Sequence, residues 1–132
     1  MDLTREQILE AARNAKIERA QLHIPELGGD IYVRGMSGTE RDEFEEQNKF
    51  RKGKKAGQFD GRNFRGKLAV RVIVTEHGER ILNDHDATIF GQMPANVLER
   101  IISRCKELSG ITEDEAEDLG NDSGSAGSDA SS

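Results

Sequence analysis

Tryptophan is absent from this 132-residue chain, tyrosine and cysteine each occur once, and proline occurs twice. Aromatic residues are 5% and hydrophobic residues 34% of the total, so any core is small and mostly aliphatic. A single cysteine excludes an intramolecular disulfide and a cysteine-based zinc cage, and it fits a reducing, cytoplasmic setting. No apolar run is long enough to span a bilayer, and the residues after Met1 lack the apolar stretch of a leader. His23, His77 and His85 are far apart and lack metal-ligand spacing. Asp84-His85-Asp86 starts a helix, where adjacent side chains diverge, and reads as cap and surface. Gly28-Gly29 and Gly53-Lys-Lys lack the spacing of a phosphate loop. Cys105 falls on an apolar stripe, where a thiol behaves as a small hydrophobe rather than a nucleophile. No carboxylate pair stands out as acid and base. The expectation is therefore a non-enzymatic protein with no catalytic residues, no cofactor and no metal.

What is present is helical periodicity. From Pro94 to Gly110, the apolar residues Val97, Leu98, Ile101, Ile102, Cys105 and Leu108 recur at offsets of one, three and four, one stripe of a 3.6-residue period. Pro94 suits a first turn, and Gly110 can take the left-handed conformation that ends a helix. Thr4-Arg-Glu-Gln7 has the form of a capping box and predicts a helix over about 4–18, carrying Ile8, Leu9, Ala12 and Ala15. That helix is weakly apolar, so it packs lightly or fits against something else. Leu22 and Ile24, then Ile31 to Val33, flank a Gly-Gly turn and predict a β-hairpin, which needs helices to lie on. A second box, Ser37-Gly-Thr-Glu40, starts a charged helix over about 38–50 with Phe44 as its anchor. A mobile loop is expected over 52–61. Phe64, Leu68, Ala69, Val72 and Ile73 form another helical stripe, although the β-branched run 69–74 could equally be a strand; we favour helix to about 73, then extended chain. Ile81-Leu82 is expected to return to the core, and Asn83 or Asp84 to cap a short helix with Ile89 and Phe90. Thr112-Glu-Asp-Glu115 is a third box, for a short acidic helix with Leu119. From Gly120 the composition cannot bury enough apolar area to offset its ordering, so disorder is expected. No internal repeat is evident. The fold class expected is α+β, mainly α: a small helical domain over 1–119 with an N-terminal β-hairpin, and a disordered acidic C-terminal tail over 120–132.

Charge is unevenly spread. Residues 111–132 hold seven acids and no Lys or Arg; the net charge is −6 and those acids contribute −7, which leaves +1 for residues 1–110. Residues 49–67 carry eight bases and one acid, Asp60, with Phe50, Phe59 and Phe64 between them. Such interleaving can hold single-stranded nucleic acid, with phosphates on cations and bases on rings. The acidic balance of the whole chain favours a solvated loop or a patch for an acidic protein. A third reading has the acidic tail folding back over this loop.

Three stretches taken together carry a resemblance. They are Gly29-Asp-Ile-Tyr-Val-Arg-Gly-Met-Ser-Gly-Thr-Glu-Arg-Asp42, Val74-Thr-Glu-His-Gly-Glu-Arg-Ile-Leu-Asn-Asp84, and Leu98-Glu-Arg-Ile-Ile-Ser-Arg-Cys-Lys-Glu-Leu-Ser-Gly-Ile-Thr-Glu-Asp-Glu115. In order and spacing they resemble the tail assembly chaperones of long-tailed, siphovirus-type bacteriophages, over about residues 20–118. The resemblance implies a protein of the host cytoplasm, outside the mature virion, that keeps the tape measure protein soluble during tail assembly. Many such chaperones have a frameshifted long form whose extension recruits tail tube protein; the Ser/Gly/Asp ending here looks like the short form, and tube protein stands as a second candidate partner. No membrane partner is expected, and homo-oligomerisation is left open. A tape measure exposes apolar stripes along a helix, which a small helical protein can cover. The residues read as the spare surface are Ile8, Leu9 and Ala12 in the first helix, with Ile111 and Leu119 near the end. The alternative readings are a structural virion protein of the head–tail junction or tube, and a nucleic-acid-binding regulator using 49–67.

Overall fold

The structure is a computed structural model that describes residues 1–110. The expected helix after Thr112, the tail from Gly120, and Ile111 and Leu119 lie outside those residues. Among the described residues the chain forms α1 (Arg5–Asn14), β1 (Arg19–Ile24), β2 (Gly29–Arg34), α2 (Gly38–Gln47), α3 (Phe64–Val72), β3 (Ile73–Val74), α4 (Ala87–Phe90) and α5 (Ala95–Leu108). One-turn 3-10 helices occupy Pro25–Leu27 and Asp84–Asp86. This is an α+β fold, mainly α.

The helix α5 is the centre of the packing. Val97, Leu98, Ile101, Ile102 and Cys105 are all buried, so the stripe seen in the sequence is the face that meets the core. Pro94 sits one residue earlier than a first-turn proline, as the N-cap, and its carbonyl accepts from Val97 and Leu98. At the other end Gly110 has φ +77°, and its N–H donates to the Glu107 carbonyl at 3.1 Å.

The sheet lies on this helix. β1 and β2 pair antiparallel, with Ala20, Leu22 and Ile24 opposite Val33, Ile31 and Gly29. Directly opposed residues share a face, so this set points inward, and Ile24 and Val33 are fully buried. Gly28, at φ +80°, makes the turn between the strands. Glu26 of that turn lies 2.7 Å from the Arg100 guanidinium, which ties the hairpin to α5 and holds the Glu26 carboxyl below the usual range. The hairpin becomes a three-stranded sheet, because Val33 and Tyr32 also pair with Ile73 and Val74 of β3.

β3 resolves the ambiguity of the β-branched run. α3 ends at Val72 and the next residue, Ile73, is already extended at φ −82° and ψ 122°. The run is both helix and strand, with no loop between. At its other end α3 starts from Asn63, in the left-handed region at φ 49°, which asparagine tolerates better than most residues. The Asn63 amide donates to the Ala87 carbonyl at 2.8 Å. Beside it Gly66 and Gly91 approach closely: a Cβ on Gly66 would stand 2.9 Å from the Gly91 Cα and would run into the Asn63 side chain.

Several boundaries differ from the sequence reading. α1 stops at Asn14 rather than 18, because Ala15 is extended (ψ 138°) and no residue of the helix is buried to hold another turn. α2 stops at Gln47, and Lys49 pairs with Phe59 instead. Ile81 does not return to the core; it is 57% exposed, and only Leu82 packs on the core. Asn83 caps the Asp84–Asp86 turn that leads into α4, but Ile89 is 74% exposed, and Ala87 and Phe90 are the residues of α4 that face inward.

Two outcomes follow for stability. Ile101→Ala should cost about 2–5 kcal/mol by removing fully buried methyl groups, measured by urea unfolding. Gly66→Ala should destabilise by about 1–3 kcal/mol through overpacking, whereas Gly38→Ala, with no atom within 4 Å of the added Cβ, should be neutral or mildly stabilising. Equal midpoints for both glycine variants would contradict the close approach of α3 and α4.

Candidate partner-binding surface

Two surfaces were singled out in the sequence, and the structure treats them differently. The first is α1. Thr4 and Gln7 form the capping box on both sides: the Gln7 N–H donates to Thr4 Oγ1 at 3.2 Å and the Thr4 N–H to Gln7 Oε1 at 2.9 Å. Removing such a cap typically costs a helix about 0.5–2 kcal/mol, so α1 is locally well specified. At 100° per residue, Ile8, Leu9, Ala11 and Ala12 fall on one side, with Arg5 among them, and Glu6, Glu10, Arg13 and Asn14 on the other. The polar side is knit by Glu10, which accepts from Arg13 at 3.0 Å and from Asn14 at 2.9 Å. Yet the apolar side is not covered. Ile8 is 52% exposed, Ala12 is exposed and Leu9 is half-buried. Leu3 precedes the N-cap, and Ile8 is four residues past it, the two positions of a hydrophobic staple; Leu3 is 66% exposed and Met1 fully so. The sequence reading named Ile8, Leu9 and Ala12 but passed over Leu3 and Met1. The position of Leu3 just before the Thr4 cap was the signal available.

The second surface is the basic stretch. The loop after α2 is closed by hydrogen bonds rather than open: Phe50 N–H to the Gln58 carbonyl at 2.9 Å, Gly57 N–H to the Phe50 carbonyl at 2.8 Å, and Asp60 N–H to the Asn48 carbonyl at 2.6 Å. Its rings are occupied. Phe64 packs on both Phe44 and Phe59 with centroids 5.3 Å apart. The Phe50 ring is approached by Lys55 Nζ at 5.6 Å and Arg62 at 5.3 Å. Base stacking would have to displace these contacts. Asp60 is buried, and Arg62 grips it at both oxygens, at 2.9 and 2.8 Å. Those hydrogen bonds hold the Asp60 carboxyl well below the usual aspartate range.

The other polar candidates fall where structural roles would put them. Cys105 is buried and its thiol is pushed up to about 11 by burial. His23 Nδ1 lies 2.6 Å from Asp30 Oδ1 across the hairpin, and His77 and His85 are exposed. Among the described residues no group of three His, Cys, Asp or Glu side chains is placed to hold a metal ion, and no helix is long and apolar enough to cross a membrane. Comparison with protein-family models, with curated proteins and with solved structures found no match to this chain.

Two measurements follow. Ile8→Glu should change stability by less than about 0.5 kcal/mol, as for an ordinary surface site; a larger loss would mean that Ile8 is packed in the free protein. An aspartate whose folded pKa is depressed adds stability above its ordinary pKa of about 3.9 and loses it as the pH falls through the lower folded value. The urea midpoint should therefore decline between about pH 5 and about pH 2, and Asp60→Asn should make that decline shallower. An unchanged acid limb would contradict the Asp60–Arg62 assignment.

Proposed function

We propose that this protein is a tail assembly chaperone that covers apolar ridges of a phage tape measure protein and keeps it soluble in the host cytoplasm while the tail is built. The identity of the partner rests on the resemblance of residues 20–118. The observation that carries the mode of action is α1: a capped, amphipathic helix with no residue buried, with Ile8 exposed on it and Met1 and Leu3 exposed just before it. A helix of ten residues is marginal in water on its own. An apolar face kept out of the domain's own core is suited to a helical partner presenting a matching stripe. α1 lies before the stretch of resemblance, so its role is read from exposure and not from the family. The action is non-enzymatic, since it consists of burying another chain's apolar surface. Tail tube protein is a second candidate partner, for which no surface stands out.

The virion-component reading differs in one observable: such a protein would be present in purified particles at fixed stoichiometry. The nucleic-acid reading is disfavoured by the occupied rings of Phe59 and Phe64. Co-expression of the full chain with the tape measure protein should raise the soluble fraction of the latter. Ile8→Glu combined with Leu3→Glu should abolish that effect while leaving the chaperone itself folded. No change in solubility with the wild-type chain would overturn the proposal.

A further inference from the structure

A cleft of about 160 Å³ runs between the basic loop and α5, with Phe59, Phe64 and Ile102 as apolar lining and Arg65, Glu99 and Lys106 as charged lining. The single carboxylate in this lining, Glu99, is already paired with Arg65, and the loop's Asp60 is already taken by Arg62. Arg51, Lys52, Lys54 and Lys55 are exposed and form no ion pair among the described residues. The loop that supplies Phe59 to this apolar cleft thus carries uncompensated positive charge, although residues 1–110 are almost neutral as a whole.

We propose that this cleft is covered by the chain's own acidic segment, residues 111–119, with its apolar residues on the Phe59–Phe64–Ile102 lining and its carboxylates facing Lys106 and the loop's cations. Charge complementarity selects this occupant. Glu113, Asp114, Glu115, Glu117 and Asp118 fall within nine residues that contain no base. Connectivity selects it too. The segment follows Gly110, whose φ of +77° is the left-handed conformation that ends α5. Lys106 and Ile102 are then about 6 and about 12 Å back along the helix axis, a distance that about four extended residues span. Held on the same chain, the segment sees the cleft at a high effective concentration without a strong intrinsic affinity. The contact is mainly electrostatic and exposed, so salt weakens it. Ile111 and Leu119 then belong to an internal cover and not to the partner surface. The inference is independent of the partner proposed above, and its test uses the chaperone alone.

The test is a nitroxide attached at Ser123→Cys of the full chain, with Cys105 left unlabelled because it is buried. At low salt the amide signals of residues 59–65 and 102–106 should broaden, the signals of α1 should not, and the broadening should be lost at high salt. Lys52→Glu, Lys54→Glu and Lys55→Glu together should also abolish it while leaving the other amide positions unchanged. No broadening at low salt, or broadening centred on α1, would overturn the proposal. So would broadening seen only when spin-labelled and isotope-labelled molecules are mixed, which would make the occupant a second copy.

Discussion

The structure depends on the burial of one face of α5. Val97, Ile101 and Cys105 are at or below 1% exposure, and they meet side chains from the hairpin and α3 in one cluster. The hairpin and the chain that follows it are attached to that contact. Arg100 reaches from the same helix to Glu26 in the hairpin turn. At the helix end Ser109 Oγ accepts from the Met36 N–H at 2.8 Å, while Gly35 lies so close to Leu108 that a side chain there would meet its carbonyl at 2.7 Å. With a core this aliphatic and this small, net stability is a modest remainder of large terms. α5 is fastened at its middle and at its C-terminal end by polar contacts as well as by packing.

The same economy explains what is left outside. The inward faces of the sheet, α3 and α5 satisfy one another, and α1 contributes no buried residue to them. Its capping box and its knit polar side specify a helix without specifying where that helix docks. A face of this kind adds nothing to the core, which is why the proposed function rests on it. The basic loop is a contrasting case: it is rich in charge, but its rings and its single acid are committed to internal contacts, and what it offers outward is mainly cations.

Much of this arrangement was legible in the sequence, for local reasons. The boxes Thr4/Gln7 and Ser37/Glu40 join residues three apart, and both are formed. The α5 stripe follows from its 3.6-residue period, and the hairpin from two extended apolar runs about the Gly28-Gly29 turn. What was not legible depends on residues distant in the chain. Whether Ile81 and Ile89 are covered is decided by which element lies over them, and their apolar character does not encode that. The Asn63–Ala87 bond and the approach of Gly66 to Gly91 cross more than twenty positions. The closure of the basic loop depends on the Lys49–Phe59 bridge, which no turn signal marked. For the candidate surface, Ile8 and Ala12 could be named from the weak apolarity of their helix, but their exposure is a property of the assembled domain.

A protein that acts by lending an apolar face should show the imprint of its partner on that face. Amide hydrogen exchange of the full chain, with and without the tape measure protein, reads this directly. The account predicts slowed exchange across residues 5–14 in the complex, with α5, already protected in the free domain, little changed. Protection confined to the loop or the sheet, with α1 exchanging as fast as before, would contradict it.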